Sequence, residues 1–316
     1  MPLCRDIARS ISTLYFYKKA LSFELSSLRS SFKRTYLFYV ALRSSVITMS
    51  CPDCFRGGVA VGTPSGTTES LHGFKTYVAK PQTPTEKSTI ILYTDAFGHL
   101  LPNNFLLADA LSAKTGLTVL VPDIIPGGGM SPTILPLMDT FSSPDTGVLG
   151  KAWAIGRAMV HVIPFFIRAS PQSEKCTEPC LQYAKAVRNE LPRGGRLGVA
   201  GYCWGGFQAL HCAKQGGLID AVYVAHPSKF EAIQAVEAVN GGAKVSFAHA
   251  EEDMALKMAV VEETKKALEG NEAFELHVYE GCVHGFAVRA TPGKEKEAKA
   301  ADEALEQAVA WFGRWL

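Results

Sequence analysis

From residue 74 onward, short apolar runs alternate with longer stretches whose apolar residues recur at helical spacing. Residues 74–79, 90–94, 117–121, 197–200, 221–225, 244–248 and 274–279 read as strands. Residues 103–115, 176–190, 207–213, 230–239, 254–268 and 296–311 read as helices. Parallel strands need a crossover of about a dozen residues between them, and a helix supplies it. Strict alternation therefore predicts an α/β fold, a mostly parallel sheet with helices on both faces. In the last helix, Ala301, Leu305, Ala308 and Phe312 form a stripe suited to covering that sheet.

The segment 125–171 breaks the rhythm. It opens with Pro126 and three glycines, continues with Ser131-Pro132 and Ser143-Pro144, and holds the apolar run 160–167. No Lys-Ser/Thr follows the glycines, so a phosphate loop is not expected, and a surface loop is. The apolar run is too short to span a bilayer. The segment reads as an inserted cap that presents Trp153, Phe165 and Phe166 to an apolar substrate, or packs on the sheet.

The strand at 197–200 leads into Gly201, Tyr202, Cys203, Trp204, Gly205 and Gly206, and then into the helix at 207–213. A nucleophile between glycines at a strand-to-helix turn is the nucleophile-elbow pattern, here with cysteine. The glycines permit close backbone approach, and the helix start aims N–H groups at developing negative charge. A thiol needs a basic neighbour to become a thiolate. Asp253 follows the strand at 244–248, and His284 follows the strand at 274–279. Nucleophile, acid, then histidine is the chain order of elbow enzymes, and each residue follows a strand, where open parallel sheets build sites. Glu251 and Glu252 share the Asp253 loop and compete as the acid, while Asp253 is also placed to cap the helix at 254–268. His226 and His249 also follow strands, but both precede the acid.

These segments resemble the dienelactone hydrolases. The elbow around Cys203, Asp253, and the run His284, Gly285, Phe286 are similar to that family's nucleophile, acid and base segments, and 50–58 resembles the start of its fungal members. The resemblance covers about 51–316. It implies an α/β-hydrolase that opens a small carboxylic ester or lactone through Cys203, with His284 as base and Asp253 orienting it. It implies an oxyanion hole from the N–H groups of Trp204 and Phe97. Asp95 stands where bacterial members carry a glutamate that contacts the cysteine. Arg289 resembles the arginine that binds the substrate carboxylate, one residue further along. The family's second such arginine is not assignable in 125–171. Another cysteine acyl transferase or peptidase-like hydrolase, or a non-enzymatic binding member, are the alternatives. No cofactor or metal is expected.

Net charge is +2, but residues 1–48 carry eight Lys or Arg against Asp6 and Glu24, a net of +6 that leaves −4 for the remainder. A mildly acidic main domain is not a nucleic-acid binder. The expected organisation is a basic, Ser-rich extension over 1–48 and a hydrolase domain over 49–316. The extension has the bias of a transit peptide, yet Met49 immediately precedes the family-like start, which favours a dispensable extension. The expected compartment is the cytoplasm, or the mitochondrion if 1–48 is a transit peptide. No membrane span is expected. The pattern specifies no oligomeric state. Of the eight cysteines, Cys51 and Cys54 form a Cys-x-x-Cys before any strand, Cys176 and Cys180 share a helix face, and Cys282 lies two residues before His284. A reducing compartment suits a free Cys203.

Overall fold

The structure is a computed structural model and describes residues 57–82, 87–291 and 293–316. The chain divides into two units, Met1–Met49 and Ser50–Leu316. The expectations for 1–48, Cys51 and Cys54 lie outside the described residues.

Eight strands form one sheet: β1 (Thr67–Leu71), β2 (Phe74–Ala79), β3 (Thr89–Tyr93), β4 (Thr118–Pro122), β5 (Leu197–Tyr202), β6 (Ala221–Ala225), β7 (Lys244–Ala250) and β8 (Phe274–Tyr279), in the order β1-β2-β4-β3-β5-β6-β7-β8. β1 and β2 pair antiparallel, as do β2 and β4. Every pair from β4 through β3 to β8 is parallel. Among the described residues the α-helices are α1 (Pro102–Thr115), α2 (Leu135–Ser142), α3 (Val148–Ala169), α4 (Glu174–Glu190), α5 (Trp204–Ala213), α6 (Ala232–Asn240), α7 (Met258–Ala267) and α8 (Glu295–Trp315).

The central strands β3 to β7 bury both faces, and their alternation sorts the core into two layers. Ile91, Tyr93, Val199, Val222, Val224, Val245 and Phe247 pack with residues of α3, α4, α5 and α6. Ile90, Leu92, Ala200, Tyr202 and Tyr223 face the other way, against Leu111 of α1 and Trp311 and Phe312 of α8. Of the α8 stripe expected over the sheet, Ala308 and Phe312 are buried in that second layer and Leu305 packs against it partly buried, while Ala301 is only half-buried and Ala300, Ala304 and Trp311 complete the buried row.

Two elements depart from the sequence expectation. β1 has a polar sequence, Thr-Thr-Glu-Ser-Leu, and is almost wholly exposed at the sheet edge, so no burial alternation marks it. The segment 125–171 is largely helical: α2 begins with a proline in its first turn, and α3 carries Pro164 in its interior. A first-turn proline costs no hydrogen bond, whereas an interior one does, and burial of Ala154, Ala158, Val162, Phe165 and Ala169 offsets that cost. Phe165 therefore belongs to the core, Phe166 is partly buried, and Trp153 faces solvent. No described helix is long and apolar enough to cross a membrane.

Candidate active site

The site collects at the carboxyl ends of β3, β5, β6, β7 and β8. Cys203 ends β5 and starts α5 with φ 50° and ψ −108°, a conformation that L side chains rarely adopt. Ladder-like bonds hold it there: its N–H donates to the Ala225 carbonyl (3.2 Å), and its carbonyl accepts from Ser228 N–H (2.9 Å). The turn passes so close to β3 that a Cβ on Gly205 would lie 2.0 Å from the Tyr93 carbonyl oxygen, and Gly205 N–H donates to Thr94 (2.9 Å). That contact is the local reason for glycine two residues after Cys203.

His284 Nδ1–H donates to both Asp253 carboxylate oxygens, at 2.8 Å and 3.0 Å, and both side chains are fully buried. The Asp253 carboxylate also accepts from the Ala255 and Leu256 N–H groups at 2.7 Å and 3.1 Å. These bonds fix its rotamer. They belong to a turn, because α7 starts only at Met258, so Asp253 is not the helix cap that the sequence suggested. Glu252 N–H donates to the Cys282 carbonyl, which ties the acid loop to the histidine loop. Both competing acids point elsewhere: Glu251 accepts from Gly281 N–H, and Glu251 and Glu252 are exposed.

Burial opposes charge on His284, but the Asp253 charge, the nearby Cys203 and the hydrogen bonds to Asp253 outweigh it and raise its pKa well above the usual histidine range, although Nε2 itself has no hydrogen-bond partner among the described residues. A protonated imidazole beside a sulfur is the arrangement that supports a thiolate. The other two histidines behave in the opposite way. His226 packs edge-on against the His284 ring, with centroids 4.9 Å apart. Burial, then the charges of His284 and Arg289, drive its pKa far down. Burial also lowers His249. Neither ring has a hydrogen-bond partner, so both stand as neutral neighbours of the pair.

Asp95 and Phe97 follow β3. Arg289 donates to Asp95 in an ion pair whose side chains are both fully buried, and its guanidinium lies 5.0 Å from the Phe97 ring centroid. Burial pushes the Asp95 pKa up, Arg289 pulls it down, and Cys203 pushes it up again, with the net result raised. Asn104 at the start of α1 donates to Asp95 at 3.1 Å and to the Gly98 carbonyl at 2.9 Å. Phe97 N–H donates to Asp95 Oδ1 at 3.1 Å. Trp204 N–H opens α5, where no intrahelical acceptor exists. The Trp204 indole donates to the Ala169 carbonyl at 2.9 Å, which fastens α5 to the end of α3. Gly129 passes the Phe97 carbonyl so closely that a Cβ would sit 1.9 Å from it, so the glycine run presses on the Phe97 loop. Arg168, in the segment where a second carboxylate-binding arginine was sought, donates to the Pro126 and Gly128 carbonyls.

The structure thus brings Cys203, Asp253, His284, Asp95, Phe97, Trp204 and Arg289 to one end of the sheet. Arg289 reaches its place already paired with Asp95. Asn104 and His226 were not singled out as part of the site by sequence reasoning. Asn104 reads there as one more residue of a helix, and His226 comes too early in the chain for the usual order.

The family model for the dienelactone hydrolase family matches residues 74–316. Hydrolase tropI of Talaromyces stipitatus is 25% identical over 279 residues, which cover 86% of this chain and 98% of that protein. Dienlactone hydrolase 1 of Gibberella moniliformis is 26% identical over 267 residues, covering 83% and 93%. A crystal structure from Klebsiella pneumoniae subsp. pneumoniae MGH 78578, provisionally described as a dienelactone hydrolase, shares the fold with a TM-score of 0.55. It is 18% identical and covers 78% of this chain and 97% of its own. The chain belongs to the dienelactone hydrolase family. It is an α/β-hydrolase by fold and a hydrolase of small carboxylic esters or lactones by class.

Proposed function

We propose that the protein cleaves its ester or lactone through a covalent acyl-cysteine formed on Cys203. The observation that carries this reading is the buried Asp253–His284 pair, whose raised proton affinity owes part of its size to Cys203. In the proposed cycle the Cys203 thiolate adds to the carbonyl carbon, and the oxyanion meets the Trp204 N–H and the Phe97 N–H, the latter released from Asp95. The C–O bond breaks, the alkoxide or enolate takes the His284 proton, and a thioester remains. Neutral His284 then removes a proton from water, the hydroxide adds to the thioester, and the thiolate leaves with the acid as product. One ester and one water give one acid and one alcohol.

The relatives' names, hydrolase and dienlactone hydrolase, agree with a small cyclic or enol ester as substrate. A sulfur nucleophile favours good leaving groups such as enolates. We assign Arg289 the carboxylate of such a substrate, reached through the Asp95 pair it now holds. A panel of esters and lactones, each measured with native enzyme and after alkylation, tests the reading. Alkylation should abolish turnover of the best substrate. Undiminished hydrolysis by enzyme whose Cys203 is fully alkylated contradicts it.

A further inference from the structure

α3 is apolar on two opposite sides. Its inner side is the buried row of Ala154, Ala158, Val162, Phe165 and Ala169. The outer side carries Leu149, Trp153, Gly156, Val160, Ile163 and Ile167, spaced by alternating steps of four and three residues. Leu149 is 88% exposed, Trp153 60%, Val160 66% and Ile167 79%. A helix that is apolar all round is normally covered all round. These four side chains present on the order of 500 Å² in one strip, in the upper part of the range for the largest apolar patch on a single chain and a little over half of the ~800 Å² per partner of a standard interface.

The order of the strip is a palindrome about residue 158. Turned end for end against itself, it sets Leu149 opposite Ile167, Trp153 opposite Ile163, and Gly156 opposite Val160. Steps of four and three are the seam of paired helices. Such self-complementarity is what a two-fold interface requires. Gly156 supplies an independent sign. A glycine inside a helix costs about 0.5–1 kcal/mol relative to alanine. Yet a Cβ at Gly156 would meet nothing within 4 Å, so its own fold gives no reason for the residue. Close approach of a second helix at that point gives one.

Charge separates a second copy from a lipid surface. Lys151, Arg157, His161 and Arg168 are the charged or titratable residues of α3, and no acid occurs in it. Arg157 is the exposed one among them, while Arg168 is engaged with Pro126 and Gly128. One exposed cation is a poor match for an anionic bilayer, which interfacial helices meet with several. We propose that the outer face of α3 is the contact of a symmetric dimer, packed antiparallel on α3 of a second copy. The two Arg157 side chains lie near its two-fold axis, so salt should tighten the dimer by screening them.

The test uses the full chain in sedimentation velocity from about 1 to 100 µM, a range that covers weak and standard interfaces. The expected result is a concentration-dependent shift to twice the chain mass, stronger at high salt, with Val160→Glu at least about tenfold weaker. Circular dichroism checks that the variant is folded; its side chain faces solvent in the single chain. Register is tested with cysteines. Leu149 and Ile167 are about 27 Å apart along one helix. The double variant Leu149→Cys, Ile167→Cys should therefore cross-link under mild oxidation, and each single variant should not. Three results would overturn the proposal. One is a single-chain mass at every concentration, with or without binding to phosphatidylglycerol vesicles. Another is a dimer unaffected by Val160→Glu. The third is cross-linking by the single variants, which requires parallel packing.

Discussion

Cys203 holds a backbone conformation that costs of order 1–3 kcal/mol for a residue with a side chain. The surrounding hydrogen bonds to Ala225 and Ser228 hold it there. The proposed role accounts for that strain, because it lifts the sulfur off the end of β5 toward His284. Cys203→Ala should fold normally and lose at least about 10²-fold in kcat/KM on the best ester. Steady-state kinetics with a matched melting curve checks both halves. Near-native turnover would remove the covalent step.

His284 allows a pH prediction at the same scale. Its folded pKa is raised above the unfolded value of about 6.5, so its contribution to stability is full below that pH and is lost as pH rises through the folded pKa. Asp253→Asn removes a charge that raises it. The variant's stability deficit should be full at and below about pH 6.5 and shrink as pH rises through the folded pKa, and its histidine should titrate at lower pH than in the wild type. Denaturant melts across pH, with NMR of the His284 ring, measure both. An unchanged His284 titration in the variant would show that Asp253 does not hold the proton there. Arg289→Met should first unbalance the buried Asp95 carboxylate, at about 3–5 kcal/mol, which masks any effect on recognition. Arg289→Met with Asp95→Asn removes both charges. If Arg289 binds a substrate carboxylate, this pair of changes should slow acidic esters well beyond matched neutral ones; an equal loss assigns it a scaffold role.

The elements explain which parts of the site could be read from the chain. Cys203, Asp253 and His284 were legible because each follows a strand whose apolar pattern is plain, and parallel strands deliver their ends to one edge. The Asp95–Arg289 ion pair was not legible. Its partners lie 194 residues apart, and both residue types have ordinary roles on a surface. β1 escaped because an exposed edge strand shows no buried face. α2 and α3 escaped because prolines and glycines punctuate them, and only tertiary burial outweighs Pro164. The elbow makes its own prediction at this scale. Gly205→Ala places a methyl 2.0 Å from the Tyr93 carbonyl, which β3 cannot yield cheaply. Loss of about 1–3 kcal/mol or more is expected from overpacking, with activity falling alongside. A chemical melt and an ester assay on the same sample report it. Wild-type stability in Gly205→Ala would mean that β3 and α5 lie further apart than described.

At the scale of the molecule, one sheet edge gathers the candidate site and the 125–171 segment bears on it from two directions. Its glycine run presses on the Phe97 loop, and the end of α3 receives the Trp204 indole. The two proposed oxyanion donors are therefore both braced by the segment that interrupts the strand–helix rhythm. The central claim is a thioester on Cys203, and intact-mass analysis after rapid acid quench tests it most directly. Mixed with excess of an activated ester, the enzyme should gain one acyl group within the first turnover, labile to neutral hydroxylamine and mapped to Cys203 by peptide digestion. Absence of any acyl adduct during turnover, or an adduct on a residue other than Cys203, would contradict the account.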